Sequence, residues 1–343
     1  MKIVADENIP FLHGVFEPYA EVVYKRGPEI TREDLMDADA LVVRTRTRCD
    51  ASTLEGTSVK MVATATIGTD HIDLPWCEAN GIKVESAAGC NAGGVADYVV
   101  SAMFGTASRQ KIKLEGATLG IIGVGHVGSR VETMARKLGF NILLCDPPRA
   151  LREGPEKFVE LDELLEKSDV VTLHTPLDPT TRGMADEHFF ESMKTGAIFI
   201  NTSRGEVVNE GALLRANPKL GAIVIDTWCN EPDINLNLLN AADIATPHIA
   251  GYSFQGKQSG TALAVRAVAR EFGIKPLEHF APATEADLTP VGIDVKGKGQ
   301  GEITAHLQYN YPIFTDDFMF RTNPGGFERL RSEYSYRREF YII

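Results

Sequence analysis

Four stretches of this sequence hold residues equipped for chemistry: the turn Gly123-Val124-Gly125-His126-Val127-Gly128, Asn201–Gly205 with Arg204, Asp226–Pro232 with Glu231, and Thr246–Tyr252 with His248. A histidine beside a carboxylate is an economical proton carrier, because the acid fixes the imidazole tautomer and favours its charged form, so that the ring alternates as base and acid near neutral pH. An arginine offers a planar fork of donors that suits a carboxylate. Taken together, such groups serve the oxidation of a 2-hydroxy acid: Arg204 holds the acid, His248 takes the hydroxyl proton and Glu231 orients His248, while hydride leaves the carbon. A lone histidine is more often structural. The convergence of three such groups beside a dinucleotide turn reverses that expectation.

The turn is a GxGxxG, a pattern too common to carry weight alone, but its context is informative. It follows the apolar run Leu119–Ile122 and opens the helix-compatible stretch Ser129–Leu138, and a second apolar run ends at Asp146. That is the strand, turn, helix and strand of a dinucleotide-binding unit. Gly123 permits the tight turn, Gly125 lets backbone approach a pyrophosphate, and Gly128 allows close packing of helix on strand. Asp146 can accept from both ribose hydroxyls and would oppose a 2′-phosphate, so NAD is expected rather than NADP, with Arg149 nearby as the one feature pulling the other way.

The elements that must position these groups follow a βα rhythm. Apolar runs near Ile3–Ala5, Glu21–Tyr24, Leu41–Val43, Met61–Ala63 and Ile82–Val84 predict a first series of strands. A helix after Asn91, with Val95, Val99, Val100, Met103 and Phe104 as its apolar positions, is expected to link two domains. A second series has strand candidates at Leu119–Ile122, Ile142–Cys145, Val170–Leu173, Ala197–Ile200, Ala222–Ile225 and Ile244–Thr246, which predicts a doubly wound sheet. A helix is expected from about Gly260 to Phe272, closed by Lys275-Pro276. Beyond Pro282 the composition shifts, and Glu302–Leu307 reads as a strand in a small appendage.

Bulk properties narrow the classes. A chain of 343 residues exceeds one ordinary core, so two or three domains are expected. A net charge of −12 disfavours nucleic acid as a partner. The five cysteines form no CxxC pair, and the histidines show no ligand spacing, so reduced thiols and no metal site are expected. The apolar stretches are too short for a membrane span and the first residues too polar for a signal peptide, which places the protein in the cytoplasm with no membrane partner.

The glycine turn, the NTSRGEVV segment, DTWCNEP and PHIAGY together resemble the D-2-hydroxyacid dehydrogenase family over residues 1 to about 275. The resemblance implies an NAD-dependent oxidoreductase with Arg204 as carboxylate anchor, Glu231 as histidine partner, His248 as general acid and base, and Asp226 near the nicotinamide. To the cofactor contacts at Gly123, Gly125, His126, Val127, Gly128 and Asp146 it adds Thr175 and Gly251. It implies an α/β chain: a Rossmann-like doubly wound NAD domain over 93–256, a flavodoxin-like substrate domain over 1–92 and 257–276, and a small α+β dimerisation appendage over 277–343. The details of Val4–Asn8, Thr64–His71, Gly89–Ala92 and Leu144–Arg149 are similar to a branch of the family whose substrate is a phosphorylated sugar acid. Arg44, Thr45, Thr66 and Tyr252 are then the expected substrate contacts, His71 is left as structural, and a homodimer is expected in which Arg337 or Arg338 reaches the partner's active site. The rival readings are D-3-phosphoglycerate or another 2-hydroxy acid as substrate and, from another class, an NAD-sensing binding protein.

Overall fold

Short apolar runs, buried on both faces at the centre and more open at the edges, build the first sheet. The computed structural model describes residues 1–283 and 288–343 and divides the chain into two units. Residues 1–91 and 253–289 form the first. Its strands are β1 (Lys2–Asp6), β2 (Glu21–Lys25), β3 (Ala40–Val43), β4 (Met61–Thr64) and β5 (Lys83–Ser86), all parallel in the order β2-β1-β3-β4-β5. This is the flavodoxin-like order, with its switch point beside β1. Alternate residues serve opposite faces: Ile3, Ala5, Val42 and Ala63 pack with Ala264, Val265 and Val268 of the helix Phe254–Phe272, while Val4, Leu41, Val43 and Val62 pack with Leu35, Leu54 and Cys77. Two covered faces explain why these strands read as continuous apolar runs.

The helix Phe254–Phe272 starts six residues before the expected Gly260, because the Ser253 hydroxyl caps it by accepting from the Gly256 amide at 2.9 Å. It stops at Gly273, whose φ of +69° supplies the left-handed cap, before Lys275-Pro276 is reached.

Residues 92–252 and 290–343 form the second unit. Here β6 (Thr118–Ile122), β7 (Asn141–Cys145), β8 (Val170–Leu173), β9 (Ile198–Asn201), β10 (Ala222–Ile225) and β11 (Ile244–Ala245) make a parallel sheet in the order β11-β10-β9-β8-β6-β7. The order reverses at β6, so the carboxyl ends of β6 and β8 flank the crevice where doubly wound sheets take ligands. The helix Ala92–Gln110 covers one face and is buried along almost its whole length; Val95, Val99, Val100, Met103 and Phe104 all lie in that core. Phe189, Phe190, Phe199 and Trp228 fill the other face.

The residues expected as a separate C-terminal domain, 277–343, are divided between the units, and 284–287 lie outside the described residues. Residues 290–343 belong to the second unit: strand β12 (Val291–Ile293) pairs in parallel with β13 (Phe340–Ile342), and three helices lie between, Gln300–Asn310, Ile313–Thr322 and Phe327–Ser332. The predicted strand Glu302–Leu307 is helical. Glu302 accepts from the Gly299 amide at 2.9 Å to cap it, and the buried Ile303 and Leu307 are four residues apart, a helical rather than an alternating spacing. The appendage stays in the second unit through its core: Phe320 meets Trp228 edge-on at 5.8 Å, and Gln308 donates to the Ser101 carbonyl at 2.9 Å.

Candidate active site

The glycine turn after β6 has the shape its spacing implies. Gly123 adopts φ +84°, and a Cβ there would come within 2.7 Å of the His174 carbonyl, on the loop after β8. A Cβ at Gly128 would lie 2.2 Å from the Gly123 oxygen, so helix His126–Lys137 can seat on the turn only with glycine there. A Cβ at Gly125 would meet nothing within 4 Å. The open side of the turn, with exposed His126 and half-buried Val127 at the helix N-terminus, is therefore free for a pyrophosphate. Facing the switch point from β8, the Thr175 hydroxyl is buried without a hydrogen-bond partner among the described residues, which suits a missing polar ligand.

Asp146, at the end of β7, accepts from the Val124 amide at 2.8 Å and the Arg149 amide at 2.9 Å, which fixes its carboxylate beside the turn. Arg149 is committed elsewhere: its guanidinium forks onto Glu153 at 2.7 and 2.6 Å and donates to the Val124 carbonyl at 2.6 Å. The cation that opposed the NAD expectation is thus neutralised. Replacing Asp146 with alanine is expected to shift the NAD to NADP preference, read as the ratio of kcat/KM values, by roughly 10–100-fold, the worth of one charged hydrogen bond of about 1.5–3 kcal/mol.

The loops after β9, β10 and β11 form one interlocked body. Gly205 abuts the Trp228 backbone so closely that a Cβ would lie 1.9 Å from the Trp228 carbonyl carbon, so any larger residue would force the two loops apart. Asn201 folds back on its own loop, accepting from Ser203 N at 3.0 Å and donating to the Arg204 carbonyl at 3.0 Å. Arg204 is half-buried and its Nη1 donates to the Ser203 carbonyl at 2.9 Å. The indole of Trp228 donates to the Thr246 carbonyl at 2.9 Å, and the Tyr98 and Thr246 hydroxyls meet at 2.7 Å.

His248 and Glu231 come together as expected from the sequence: Nδ1 lies 2.8 Å from Oε2 and 3.1 Å from Oε1. An ionised carboxylate only accepts, so Nδ1 carries the hydrogen and Nε2 is left as the nitrogen that can take a proton. Burial pushes the Glu231 carboxyl up, but His248, the Trp228 amide at 2.9 Å and Arg331 outweigh it and hold the group below its ordinary range. Glu231 is therefore ionised at neutral pH.

His248 itself sits at φ +56°, a left-handed conformation that costs a non-glycine residue about 1 kcal/mol or more and persists only when its surroundings over-determine it. Asp226 is what over-determines it. Its carbonyl accepts from His248 N at 2.8 Å; its carboxylate takes the Thr246 hydroxyl at 2.7 Å, the Ile249 amide at 2.8 Å and the Ala250 amide at 3.0 Å. Expected beside the nicotinamide, Asp226 is buried and spends its carboxylate on the backbone of the histidine turn. Half-buried Gly251 and Tyr252 continue that turn.

The remaining substrate candidates lie in the first unit at the carboxyl ends of its strands. Arg44, just past β3, donates to the Asn8 carbonyl past β1 at 2.8 Å, which places it across that sheet's switch point. Thr45 is exposed, and the Thr66 hydroxyl meets that of Thr64 at 2.7 Å. Arg337, expected to reach a partner's active site, is turned inward: its guanidinium bonds carbonyls of its own chain. The sequence names Arg337 but not these carbonyl partners, nor the Gly205 contact, because neither has a local pattern that announces a distant partner.

Two parallel α/β units, a dinucleotide turn and a histidine–glutamate pair on the loops at its sheet's carboxyl edge define an NAD-dependent dehydrogenase of 2-hydroxy acids. Residues 94–250 match the family profile described as D-isomer specific 2-hydroxyacid dehydrogenase, NAD binding domain. An NAD-bound 3-phosphoglycerate dehydrogenase structure from Entamoeba histolytica superposes with a TM-score of 0.68 at 27% identity, over 83% of this chain and 99% of that one. The erythronate-4-phosphate dehydrogenase of Bacteroides fragilis is 43% identical over 99% of this chain and 97% of its own length, and that of Yersinia pestis is 41% identical over 99% and 93%. The chain belongs to the erythronate-4-phosphate dehydrogenase family of NAD-dependent oxidoreductases.

Proposed function

We propose that this chain oxidises 4-phospho-D-erythronate to 2-oxo-3-hydroxy-4-phosphobutanoate, a reading supported by relatives 41–43% identical over nearly the whole chain that are named erythronate-4-phosphate dehydrogenase. The observation that carries the chemistry is the His248–Glu231 pair, with Nδ1 committed to the carboxylate and Nε2 left to receive the hydroxyl proton. NAD, when bound, supplies the hydride acceptor. Gly123, Gly125, His126, Val127, Gly128 and Thr175 hold its pyrophosphate side, Asp146 its ribose, and Gly251 adjoins the nicotinamide side. Arg204 holds the substrate carboxylate, and Arg44 with Thr45, Thr66 and Tyr252 takes the hydroxyls and the phosphate. The Glu231 carboxylate stabilises the imidazolium as the proton arrives.

The test is NADH absorbance on incubation of the protein with NAD and, in parallel, 4-phospho-D-erythronate, unphosphorylated erythronate and 3-phosphoglycerate. A second set contains a keto acid to reoxidise any tightly held NADH. A selective response to 4-phospho-D-erythronate is the expected result; a preference for 3-phosphoglycerate would move the substrate and leave the chemistry standing.

The same reading goes with a cytoplasmic homodimer. No described helix is long and apolar enough to cross a membrane. The C-terminal segment displays Tyr309, Phe318, Tyr341 and Ile343 at 87, 67, 52 and 61% exposure, a concentration of uncovered apolar side chains that a second copy would bury. Light scattering is expected to give twice the chain's 37.5 kDa, and replacing Phe318 and Tyr341 with serine is expected to halve that mass.

A further inference from the structure

The turn that carries His248 is gripped from two directions. Asp226 takes its amides, as described above. Its carbonyls are taken by a residue almost ninety positions further on: Nη1 of Arg337 donates to the Ile249 and Tyr252 oxygens, each at 3.1 Å, and Nη2 donates to the Ala250 oxygen. Nη2 also reaches the Gly94 oxygen at 2.8 Å, in the first turn of helix Ala92–Gln110. These carbonyls belong to an irregular turn and have no ladder to join, so one guanidinium fork meets a need that regular structure leaves open.

Arg337 is itself held. Its guanidinium carbon lies 4.2 Å over the Tyr311 ring, and Nη1 meets the Tyr334 hydroxyl at 3.4 Å. Both tyrosine hydroxyls donate to Asp316 Oδ2, each at 2.9 Å. Tyr334 also meets the ring of Tyr252 at 5.9 Å. The C-terminal segment thus presents a preset cation to the back of the histidine turn.

We propose that Arg337 is a positioning residue for His248, holding the carbonyl side of residues 249–252 so that the imidazole keeps its left-handed backbone and its bond to Glu231. The proposal rests on His248 as the proton-transfer group. It assigns the C-terminal segment a part in catalysis within its own chain.

The test uses the full chain with Arg337→Ala and Arg337→Lys. A displaced imidazole is expected to lower kcat by roughly 10²-fold, since a shift of about 1 Å in a reacting group has that effect. The affinity for NAD, read by NADH fluorescence, is expected to fall far less than kcat, because the pyrophosphate and ribose contacts lie on other loops and Gly251 alone of the cofactor contacts belongs to the clamped turn. Lysine, whose donors share one nitrogen, cannot span Gly94 and Tyr252 together and is expected not to rescue. Added guanidinium ion is expected to restore part of the activity of the alanine variant. Wild-type kcat in either variant overturns the proposal, and the lysine variant decides alone if the alanine variant does not fold. Should the wild type oxidise no 2-hydroxy acid, the functional reading fails separately. The rate of His248 modification by diethyl pyrocarbonate, followed by mass spectrometry, then decides: a rate altered by Arg337→Lys supports the clamp, and an unaltered one overturns it.

Discussion

Replacing His248 with alanine is expected to lower kcat by roughly 10²–10⁴-fold, the usual worth of a positioned general base, while NAD still binds. Nδ1 is committed to Glu231, which leaves Nε2 as the one ring atom able to take the hydroxyl proton, and no other histidine shares these loops. His174, on the loop after β8, is depressed to about 3 by burial, so it stays neutral and unsuited to alternate between base and acid near neutral pH. Steady-state rates for the variant, set against NADH fluorescence on binding, give the answer. A variant that keeps wild-type turnover would place the base elsewhere. A wild-type protein that binds NAD and oxidises nothing would bring the NAD-sensing reading forward.

Replacing Arg204 with glutamine is expected to raise KM for the hydroxy acid by at least 10²-fold. Two charged hydrogen bonds to a carboxylate, at about 1.5–3 kcal/mol each, are lost, and the amide recovers little of that. Lysine at the same position keeps the charge and loses the fork, so a smaller rise is expected. The backbone around Arg204 should not move, because Asn201 and the close seat of Gly205 on Trp228 fix it independently of the guanidinium. Unchanged KM in both variants, with NAD binding intact, would assign the carboxylate to another cation, Arg44 being the one already at a sheet's carboxyl edge.

The legible parts of this molecule are those in which chemistry and local pattern coincide. The central strands of the two large sheets stood out as apolar runs, since a parallel strand buried on both faces leaves little room for polar residues, while the edge strands β2 and β5 carry polar ones. The histidine–glutamate pair was readable because both residues follow strands whose carboxyl ends share an edge. Asp226 was readable as a residue of the site, but not as a holder of the histidine turn. That second role rests on the amides of Ile249 and Ala250, contacts that no local pattern announces. The segment Glu302–Leu307 misled because Ile303, Ala305 and Leu307 satisfy an alternating pattern in so short a window. Its helical fate depends on the Gly299–Glu302 cap and on the contact with helix Ala92–Gln110. Arg337 was singled out, with Arg338, but for a partner's active site rather than its own chain's turn, because its partners are distant in the chain and no local pattern names them.

Both units are discontinuous in sequence, and this sets the order in which a growing chain can finish them. The first sheet, complete by Ser86, keeps one face bare until the helix Phe254–Phe272 has been made to cover it. The second unit lacks β13, and with it the Arg337 grip on the histidine turn, until some ninety residues after that turn have been added. A nascent chain therefore holds its proton carrier for some time before residues 290–343 can pack against the turn that bears it.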